Sequence, residues 1–237
     1  MKRIGTVAAI WRYPVKSMRG EQLTEASFDP KGMAGDRRFG FVSTAAPPGY
    51  PLLASRERTA MLRYTPTLDP TPQVSTPDGR SFPLPSPDLL AELQTTLAAP
   101  GAELTLQHSP GLPLTDVRPV SLVSTATLRG LEKELGYAVD PQRFRSNLIL
   151  TLENDRPFAE DELAGQTLIF DDPTGVHLRL RERIPRCRMV SLDPDTTEAD
   201  PLLLRHLAKH HDGRLGIYAT VLQTGIVHVD NPVSTSI

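Results

Sequence analysis

The single cysteine of the chain lies in a strongly basic neighbourhood. Arg186 and Arg188 flank Cys187 directly. Further arginines alternate along the preceding segment, so they would share one face of a strand: Arg179, Arg181 and Arg183. Nearby cations lower the pKa of a thiol from about 8.5 and favour the thiolate, which is a nucleophile and a soft metal ligand. We therefore take Cys187 as a candidate catalytic residue and metal ligand, against the alternative of a small buried apolar cysteine.

Two short motifs near the start combine cationic and polar groups. In Tyr13-Pro14-Val15-Lys16-Ser17, an ammonium and a hydroxyl follow a proline that interrupts strand pairing, and this pair suits an anion such as phosphate. In Gly35-Asp36-Arg37, a turn precedes the arginine, which the aspartate could hold in a site. The alternatives are an exposed loop in the first case and a surface ion pair of little energetic weight in the second.

A third basic motif is Arg143-Phe144-Arg145-Ser146-Asn147. If a strand begins here, Arg145 and Asn147 share one face and could donate to phosphate oxygens and to the edge of a heterocycle. The alternative is a basic turn that leads into a core strand, since Leu148, Ile149 and Leu150 follow.

Histidines cluster on a predicted helix near the C-terminal end. His206 and His210 are one helical turn apart and His211 is adjacent, a spacing that could suit a metal. No glutamate occupies the position that a zinc protease motif requires. We therefore expect a solvated helix face here.

Composition excludes several classes of protein. The formal net charge is −2, which argues against a globally basic nucleic-acid binder. No apolar run approaches the roughly 18–20 residues that span a bilayer. One cysteine excludes an internal disulfide and an iron–sulfur cluster held by this chain alone. We expect a cytoplasmic protein without nucleic-acid or membrane partners, and we find no nucleotide-binding loop or nucleophile elbow.

Proline and glycine predict a chain of short strands. The sequence has 23 prolines and 16 glycines, and turn signals separate about twelve short strands and three or four short helices. The predicted strands are 4–13, 21–29, 37–43, 73–76, 81–83, 103–108, 119–123, 147–152, 167–170, 176–183, 188–192, 216–222 and 226–229. Helices are predicted after Ser86, after Ser124 or Thr125, and over 201–210. This pattern indicates a mainly β (α+β) protein with two associated β-barrel-like domains and a few peripheral helices, with a boundary in the Pro- and Gly-rich segment 109–119.

Taken in order, these motifs resemble the MOSC family, named for the molybdenum cofactor sulfurase C-terminal domain. The nearest resemblance is to the subgroup with an N-terminal β-barrel domain, which includes the mitochondrial amidoxime reducing component and bacterial relatives. Arg186-Cys187 with the downstream Asp193-Pro194-Asp195-Thr196, and Gly216-Ile217-Tyr218 with the closing segment 225–233, extend the match. The resemblance implies an N-terminal MOSC-associated barrel domain over 1–108 and a MOSC domain over 109–237.

The resemblance also implies a pterin-based molybdenum cofactor (molybdopterin) with Cys187 as the metal ligand; pyridoxal phosphate binding is a further family-level description. It implies that Lys16, Ser17 and Arg37 contact the cofactor phosphate. Family positions that contact the cofactor correspond to Arg145, Asn147 and Arg186 and, more distantly, to Ser124, Thr125 and Tyr218. Pro185 departs from the small polar residue common beside the cysteine.

The implied activity is an oxidoreductase that removes oxygen from small N-hydroxylated or N-oxide substrates. Because one cysteine cannot build an electron-transfer cluster, electrons must come from a separate protein of the ferredoxin, flavin reductase or cytochrome type. The alternatives are a molybdenum cofactor carrier or sulfur-transfer protein that uses Cys187, and a binding module that kept the barrel but lost the cofactor.

Overall fold

A computed structural model describes residues 1–170 and 175–235. The described chain is strand-rich with a few peripheral helices, which confirms the predicted fold class. The strands are β1 (Lys2–Arg12), β2 (Glu21–Leu23), β3 (Glu25–Asp29), β4 (Gly32–Met33), β5 (Phe39–Ser43), β6 (Thr65–Thr67), β7 (Gln73–Ser75), β8 (Ser81–Pro83), β9 (Leu104–His108), β10 (Val120–Ser124), β11 (Leu148–Leu152), β12 (Thr167–Phe170), β13 (His177–Pro185), β14 (Arg214–Gln223), β15 (Gly225–His228) and β16 (Pro232–Thr235). The α-helices are α1 (Pro87–Thr96), α2 (Thr125–Leu135) and α3 (Pro201–His210). Short 3-10 helices cover Thr59–Arg63, Pro141–Phe144, Ala159–Leu163 and Arg188–Ser191. None of the described helices is long and apolar enough to cross a membrane.

Seven strands form a closed barrel in the order β11-β10-β14-β13-β12-β16-β1. The ring closes because β1 pairs with β11 as well as with β16. Most pairs are antiparallel, whereas β10 and β11 run parallel. Apolar residues that alternate along the strands fill the interior, and the fully buried ones include Val7, Leu122, Leu150, Leu178 and Ile217.

The first strand connects the two halves of the chain. β1 precedes the smaller sheets in sequence, yet its partners β11 and β16 lie beyond residue 147. A cut between residues 108 and 109 would therefore separate hydrogen-bonded neighbours in the barrel. The proposed boundary between 1–108 and 109–237 stays a prediction.

A second hydrophobic core lies among the smaller sheets of the first half. The sheet of β6, β7 and β8 contains the predicted hairpin at Asp78-Gly79, and β5 pairs with β9. Helix α1 begins as predicted, because the Ser86 hydroxyl accepts the Leu89 N–H and Pro87 occupies the first turn. Leu89 and Leu93 pack from α1 onto this core, where both are fully buried.

Helices α2 and α3 pack on the outside of the barrel over a third core. The Ser124 hydroxyl accepts the Thr127 N–H at the start of α2, and Gly136 ends the helix in the left-handed conformation that glycine favours. Leu131 from α2 and Leu207 from α3 contact the same buried cluster as Val190. This core therefore supports the segment that follows Cys187.

Some predicted strand boundaries are wrong, and the errors fall at turns. The predicted strand 188–192 is a 3-10 helix, Arg188–Ser191, and Thr24 divides the predicted strand 21–29 into β2 and β3. The predicted strands at 37 and 147 begin one or two residues later, at Phe39 and Leu148. The basic residues that precede these strands adopt turn geometry instead of joining the ladder.

Candidate functional site

An open cleft between the barrel and the smaller sheets brings together most of the predicted site residues. It encloses about 940 Å³ when the solvent-filled space at its open mouth is included. Residues from both halves of the sequence line it. The predicted residues in its lining are Lys16, Ser17, Arg37, Arg145, Arg186, Cys187 and Tyr218.

Cys187 lies in this cleft with an exposed side chain. It precedes the 3-10 helix Arg188–Ser191, whose Val190 N–H bonds to the Cys187 carbonyl at 3.2 Å. Val190 is buried in the third core, so the backbone on the C-terminal side of the thiol is held against packed side chains. The alternative of a small, sealed apolar cysteine is therefore wrong.

The predicted ring of five arginines around Cys187 is wrong in part. Leu178 and Leu180 point into the barrel, so the alternate positions of β13 point outward and away from the cleft. The outward arginines bind elsewhere: Arg179 contacts Thr167, Arg181 contacts Thr220, and Arg183 pairs with Asp161 and Asp212. Arg188 is exposed outside the cleft lining, so Arg186 is the member of the five that lines the cleft.

Left-handed backbone geometry marks three of the predicted site residues. Ser17 has φ 69°, Arg37 has φ 49° and Arg145 has φ 52°. Residues other than glycine rarely adopt positive φ, and such strain clusters at functional sites. In the described chain, seven non-glycine residues have this geometry, and these three all line the same cleft. The left-handed turns therefore place these three residues in the lining of the cleft, where a regular strand would orient their side chains differently.

Arg145 is held by contacts that do not neutralise its charge. Its Nη1 donates to the Met18 carbonyl, and the guanidinium lies 4.3 Å from the centroid of the Tyr13 ring. Its Nη2 is buried and has no hydrogen-bond partner within the described residues. Burial, with repulsion from Arg37, lowers its pKa to about 10, so the group is still cationic at neutral pH.

Arg186 is held in the same way as Arg145, by backbone carbonyl groups. Its Nε donates to the Leu215 carbonyl at 2.9 Å and its Nη1 to the Phe144 carbonyl at 2.8 Å. Its Nη2 is also buried without a partner in the part of the chain that is described. Burial lowers its pKa to about 10, partly offset by Tyr218 and Cys187. Arg145 and Arg186 are thus two buried cations, each with one N–H group that has no hydrogen-bond partner among the described residues. An anionic ligand in the cleft would accept from these donors and offset the free-energy cost of burying them unpaired.

Glycine at position 216 makes room for Arg186. Gly216 has φ 74°, and a Cβ there would lie 2.6 Å from the Leu122 carbonyl oxygen and 3.3 Å from Arg186 Nη2. The Gly216-Ile217-Tyr218 motif therefore has two physical roles. Its glycine permits close packing beneath the guanidinium, and its tyrosine lines the cleft, with a hydroxyl pKa that burial raises and Arg186 lowers.

Tyr13 and Asp36 position the side chains of Arg37 and Arg145. The buried Asp36 carboxylate accepts the Tyr13 N–H at 2.8 Å and pairs with Arg37 Nη1. The Arg37 guanidinium lies over the Tyr13 ring at 5.0 Å, and the same ring contacts Arg145. Burial raises the pKa of Tyr13 to about 12, so its hydroxyl stays protonated. The prediction that Asp36 holds Arg37 in a site agrees with this geometry.

Lys16 reaches across the cleft mouth to the segment between the two halves. Its Nζ donates to Asp116 Oδ1 at 2.6 Å and to the Leu114 carbonyl at 3.0 Å. Burial raises the pKa of Asp116, but the hydrogen bond and charge of Lys16 outweigh burial, so the net shift is downward. Lys16 is therefore a cation with an ionised partner at the edge of the cleft.

Ser124, Thr125 and Asn147 do not line the described cleft, because each side chain is used elsewhere. The fully buried Ser124 hydroxyl caps α2 and donates to Glu160 at 2.8 Å. Thr125 bonds to Thr151 at 3.4 Å. Because Arg145 takes a left-handed turn before β11, it and Asn147 do not share a strand face, which corrects that prediction.

Asn147 instead supports the site from behind. Its Oδ1 accepts the Ser121 N–H at 3.1 Å, and its Nδ2 donates to the Trp11 carbonyl at 3.3 Å. The Ser121 hydroxyl in turn donates to the Arg145 carbonyl at 3.3 Å. Asn147 therefore ties β1, β10 and the Arg145 turn together.

Sequence reasoning gave no role to several lining residues, although it quoted Arg143 as the first residue of the third basic motif. Arg143 donates to the Ser191 carbonyl and to Asp193, so the Asp-Pro segment anchors it. Arg56, Asp116 and Ser121 also line the cleft, and no motif singled them out. Five of the seven cationic side chains in the lining pair with a carboxylate, and within the described residues the two without such a pair are Arg145 and Arg186.

Comparison with solved structures found one that shares the fold over nearly the whole chain and another with a weaker, partial alignment. The YuaD protein from Bacillus subtilis aligns over 99% of this chain and 97% of its own, with a TM-score of 0.55 at 16% identity. YiiM from Geobacillus stearothermophilus aligns over 50% of this chain and 54% of its own, with a TM-score of 0.38 at 16% identity. A search of curated proteins found no match to the chain.

Two family models match adjacent parts of the sequence. The MOSC N-terminal beta barrel domain matches residues 4–109, and the MOSC domain matches residues 111–234. The second match alone spans more than half of the chain and contains Arg145, Arg186, Cys187 and Tyr218. With its closed barrel and this pair of matches, the chain belongs to the MOSC domain family, whose members are associated with molybdenum cofactor binding.

Proposed function

We propose that this chain binds a pterin-type molybdenum cofactor in the cleft and uses it to reduce small N-hydroxylated or N-oxide substrates. One observation carries the proposal. Arg145 Nη2 and Arg186 Nη2, both buried and without partners among the described residues, lie in the lining of the cleft that also contains an exposed thiol. An anion satisfies the guanidinium donors, and a soft metal takes the thiolate.

The chemistry of the donor set fits such a cofactor. A phosphate tail needs cationic donors, and Arg145 Nη2 is one that has no partner among the described residues. Lys16 and Arg37 also line the cleft, and each would share its donors between the phosphate and its present carboxylate partner. A flat polar ring system suits an open cleft lined by mixed polar and apolar groups. Cys187, exposed and beside Arg186, offers the sulfur for the metal.

Each group has a defined task in the proposed reaction. Arg145 and Arg186 bind and orient the anionic part of the cofactor, while their carbonyl partners keep both guanidinium groups in place. Cys187 would hold the metal through its exposed sulfur, which lies in the same cleft lining as Arg186. When bound, the cofactor supplies two-electron oxygen-atom transfer. Tyr218, whose raised pKa keeps its hydroxyl protonated, offers a hydrogen-bond donor to the substrate.

Two electrons and two protons are needed for each oxygen removed as water. We assign the electrons to a separate protein of the ferredoxin, flavin reductase or cytochrome type, because one cysteine cannot hold an electron-transfer cluster. We place the reaction in the cytoplasm, where a free cysteine stays reduced.

The test uses full-length protein purified from a host that makes the cofactor. Reduction of benzamidoxime by a chemical reductant is measured for the wild type and for Cys187→Ala, with His228→Ala as a control at a residue outside the cleft lining. The proposal expects turnover in the wild type and the control and loss in Cys187→Ala. Wild-type protein that contains molybdenum and pterin but does not turn over would contradict the proposed reaction.

The exposure of Cys187 also favours a second candidate. A thiol that solvent reaches can carry a persulfide or hold molybdenum for transfer to another protein. Tight metal retention without turnover supports the carrier function. A Cys187 persulfide detected by mass spectrometry supports sulfur transfer.

A further inference from the structure

A second set of metal-ligating side chains converges on the outside of the barrel, away from the residues that line the cleft. Glu134 near the end of α2, His206 in α3 and His211 just after α3 bring one carboxylate oxygen and two ring nitrogens within 4.8 Å of one another. Glu134 Oε2 lies 2.7 Å from His206 Nε2 and 2.7 Å from His211 Nε2. The expectation of a solvated helix face is therefore wrong for these two histidines, which are 18% and 14% exposed.

From this geometry we propose that Glu134, His206 and His211 bind a zinc ion that joins the ends of α2 and α3. Two imidazole nitrogens and one carboxylate oxygen form a donor set that zinc prefers, with water as the fourth ligand. Donors about 2.1 Å from a tetrahedral ion lie about 3.4 Å from one another. Both carboxylate–imidazole distances are 2.7 Å, shorter than that value, so these side chains would move slightly apart to admit the ion.

The surrounding structure favours a cation at this point. Glu134 is the penultimate residue of α2, and His211 caps the C-terminal end of α3, so two helices direct the negative ends of their dipoles toward the site. The His211 ring stacks on Phe158 at 4.0 Å, which fixes its plane.

The zinc site would also support the segment beside Cys187. His206 lies between Leu203 and Leu207, which pack in the same core as Val190 of the 3-10 helix Arg188–Ser191. A metal that ties α3 to α2 therefore holds the elements beneath the cleft without entering it. We expect zinc to raise the stability of the fold rather than to take part in the reaction.

The test is a zinc titration of the full chain, purified without a histidine tag, in competition with a chromophoric chelator at about pH 7.5. The site predicts one tight zinc ion per chain in the wild type and loss of that ion in His206→Ala and Glu134→Gln. His210→Ala is the matched control, because His210 is an exposed neighbour 4.6 Å from the His206 ring but outside the ligand set. Cys187→Ala controls for zinc on the thiol, and both controls should keep the ion.

Thermal unfolding and cobalt substitution complete the test. At a hundredfold excess over the dissociation constant, zinc should raise the melting temperature by about 5–10 °C in the wild type and in His210→Ala, but not in His206→Ala. Cobalt bound at the site should give visible absorption bands, and His211→Gln should remove them. This measurement still tests the site if His206→Ala folds poorly. No stoichiometric binding, or equal loss in His210→Ala, would overturn the site.

Discussion

Arg37 Nη2 donates a 3.0 Å hydrogen bond to the backbone carbonyl of Arg145, and this contact joins two motifs from opposite halves of the chain. Both residues have positive φ, and both guanidinium groups lie over the Tyr13 ring. The arrangement holds two like charges close together, and repulsion from Arg37 contributes to the lowered pKa of Arg145. Repulsion between the two guanidinium groups costs free energy when no anion is bound, and an anion that binds both groups would offset this cost.

Asp36 should be essential for this arrangement. Asp36→Ala leaves the Tyr13 N–H without its buried acceptor and Arg37 without its carboxylate, so we expect a loss of about 3 kcal/mol in unfolding free energy. Denaturant unfolding of the wild type and the variant measures this difference in unfolding free energy. Asp195→Ala is the control, because it removes an exposed pair with Arg19 and should cost less than about 1 kcal/mol. Equal effects would show that Asp36 has no special role.

Gly216 should tolerate no side chain. Gly216→Ala combines left-handed strain with a Cβ 2.6 Å from the Leu122 oxygen, and we expect a cost of at least about 2 kcal/mol together with displacement of Arg186. Gly136→Ala has a similar φ of 79° but no neighbour within 4 Å, so it should cost only about 1 kcal/mol. The difference between the two unfolding free energies isolates the contact beneath Arg186, and a difference near zero would refute it.

A variant of Asn147 can distinguish a structural role of this side chain from a role in cofactor binding. Asn147→Ala removes buried bonds to Ser121 and Trp11 and should cost about 2–4 kcal/mol. Because its side chain does not line the described cleft, molybdenum content per folded molecule should stay close to the wild-type value. Loss of molybdenum without loss of stability would instead support the role that the family resemblance implies.

Asp193 should make stability depend on pH. Burial raises its pKa, but N–H donors of Thr196 and Asp195 and the charge of Arg143 lower it further, so the net value lies below 3.8. In acid the unfolded state then binds more protons than the folded state, so this stabilisation is present above about pH 4 and is lost as pH falls through the lowered pKa. The cost of Asp193→Asn should therefore be larger at about pH 6 than at about pH 3. A cost independent of pH would contradict this account.

Local sequence signals predicted the chemistry of the cleft better than its geometry. Helix caps at Ser86 and Ser124 and the alternating strands depend on neighbouring residues, so their positions followed from the sequence. The direction of the arginines on β13 did not, because alternation defines two faces without saying which one faces the core. Glu134 was missed for a related reason: it lies 72 residues before its partner His206, and only tertiary packing brings them together.

The central claim is tested most directly by measuring molybdenum and pterin in protein purified from a host that makes the cofactor. The wild type should contain both in equal amounts, approaching one per chain. Arg145→Ala should lose both, because a buried anion contact is removed, and Cys187→Ala should lose molybdenum to a greater extent than pterin. Wild-type protein without either component, or variants that retain both at the wild-type level, would contradict the assignment of this cleft.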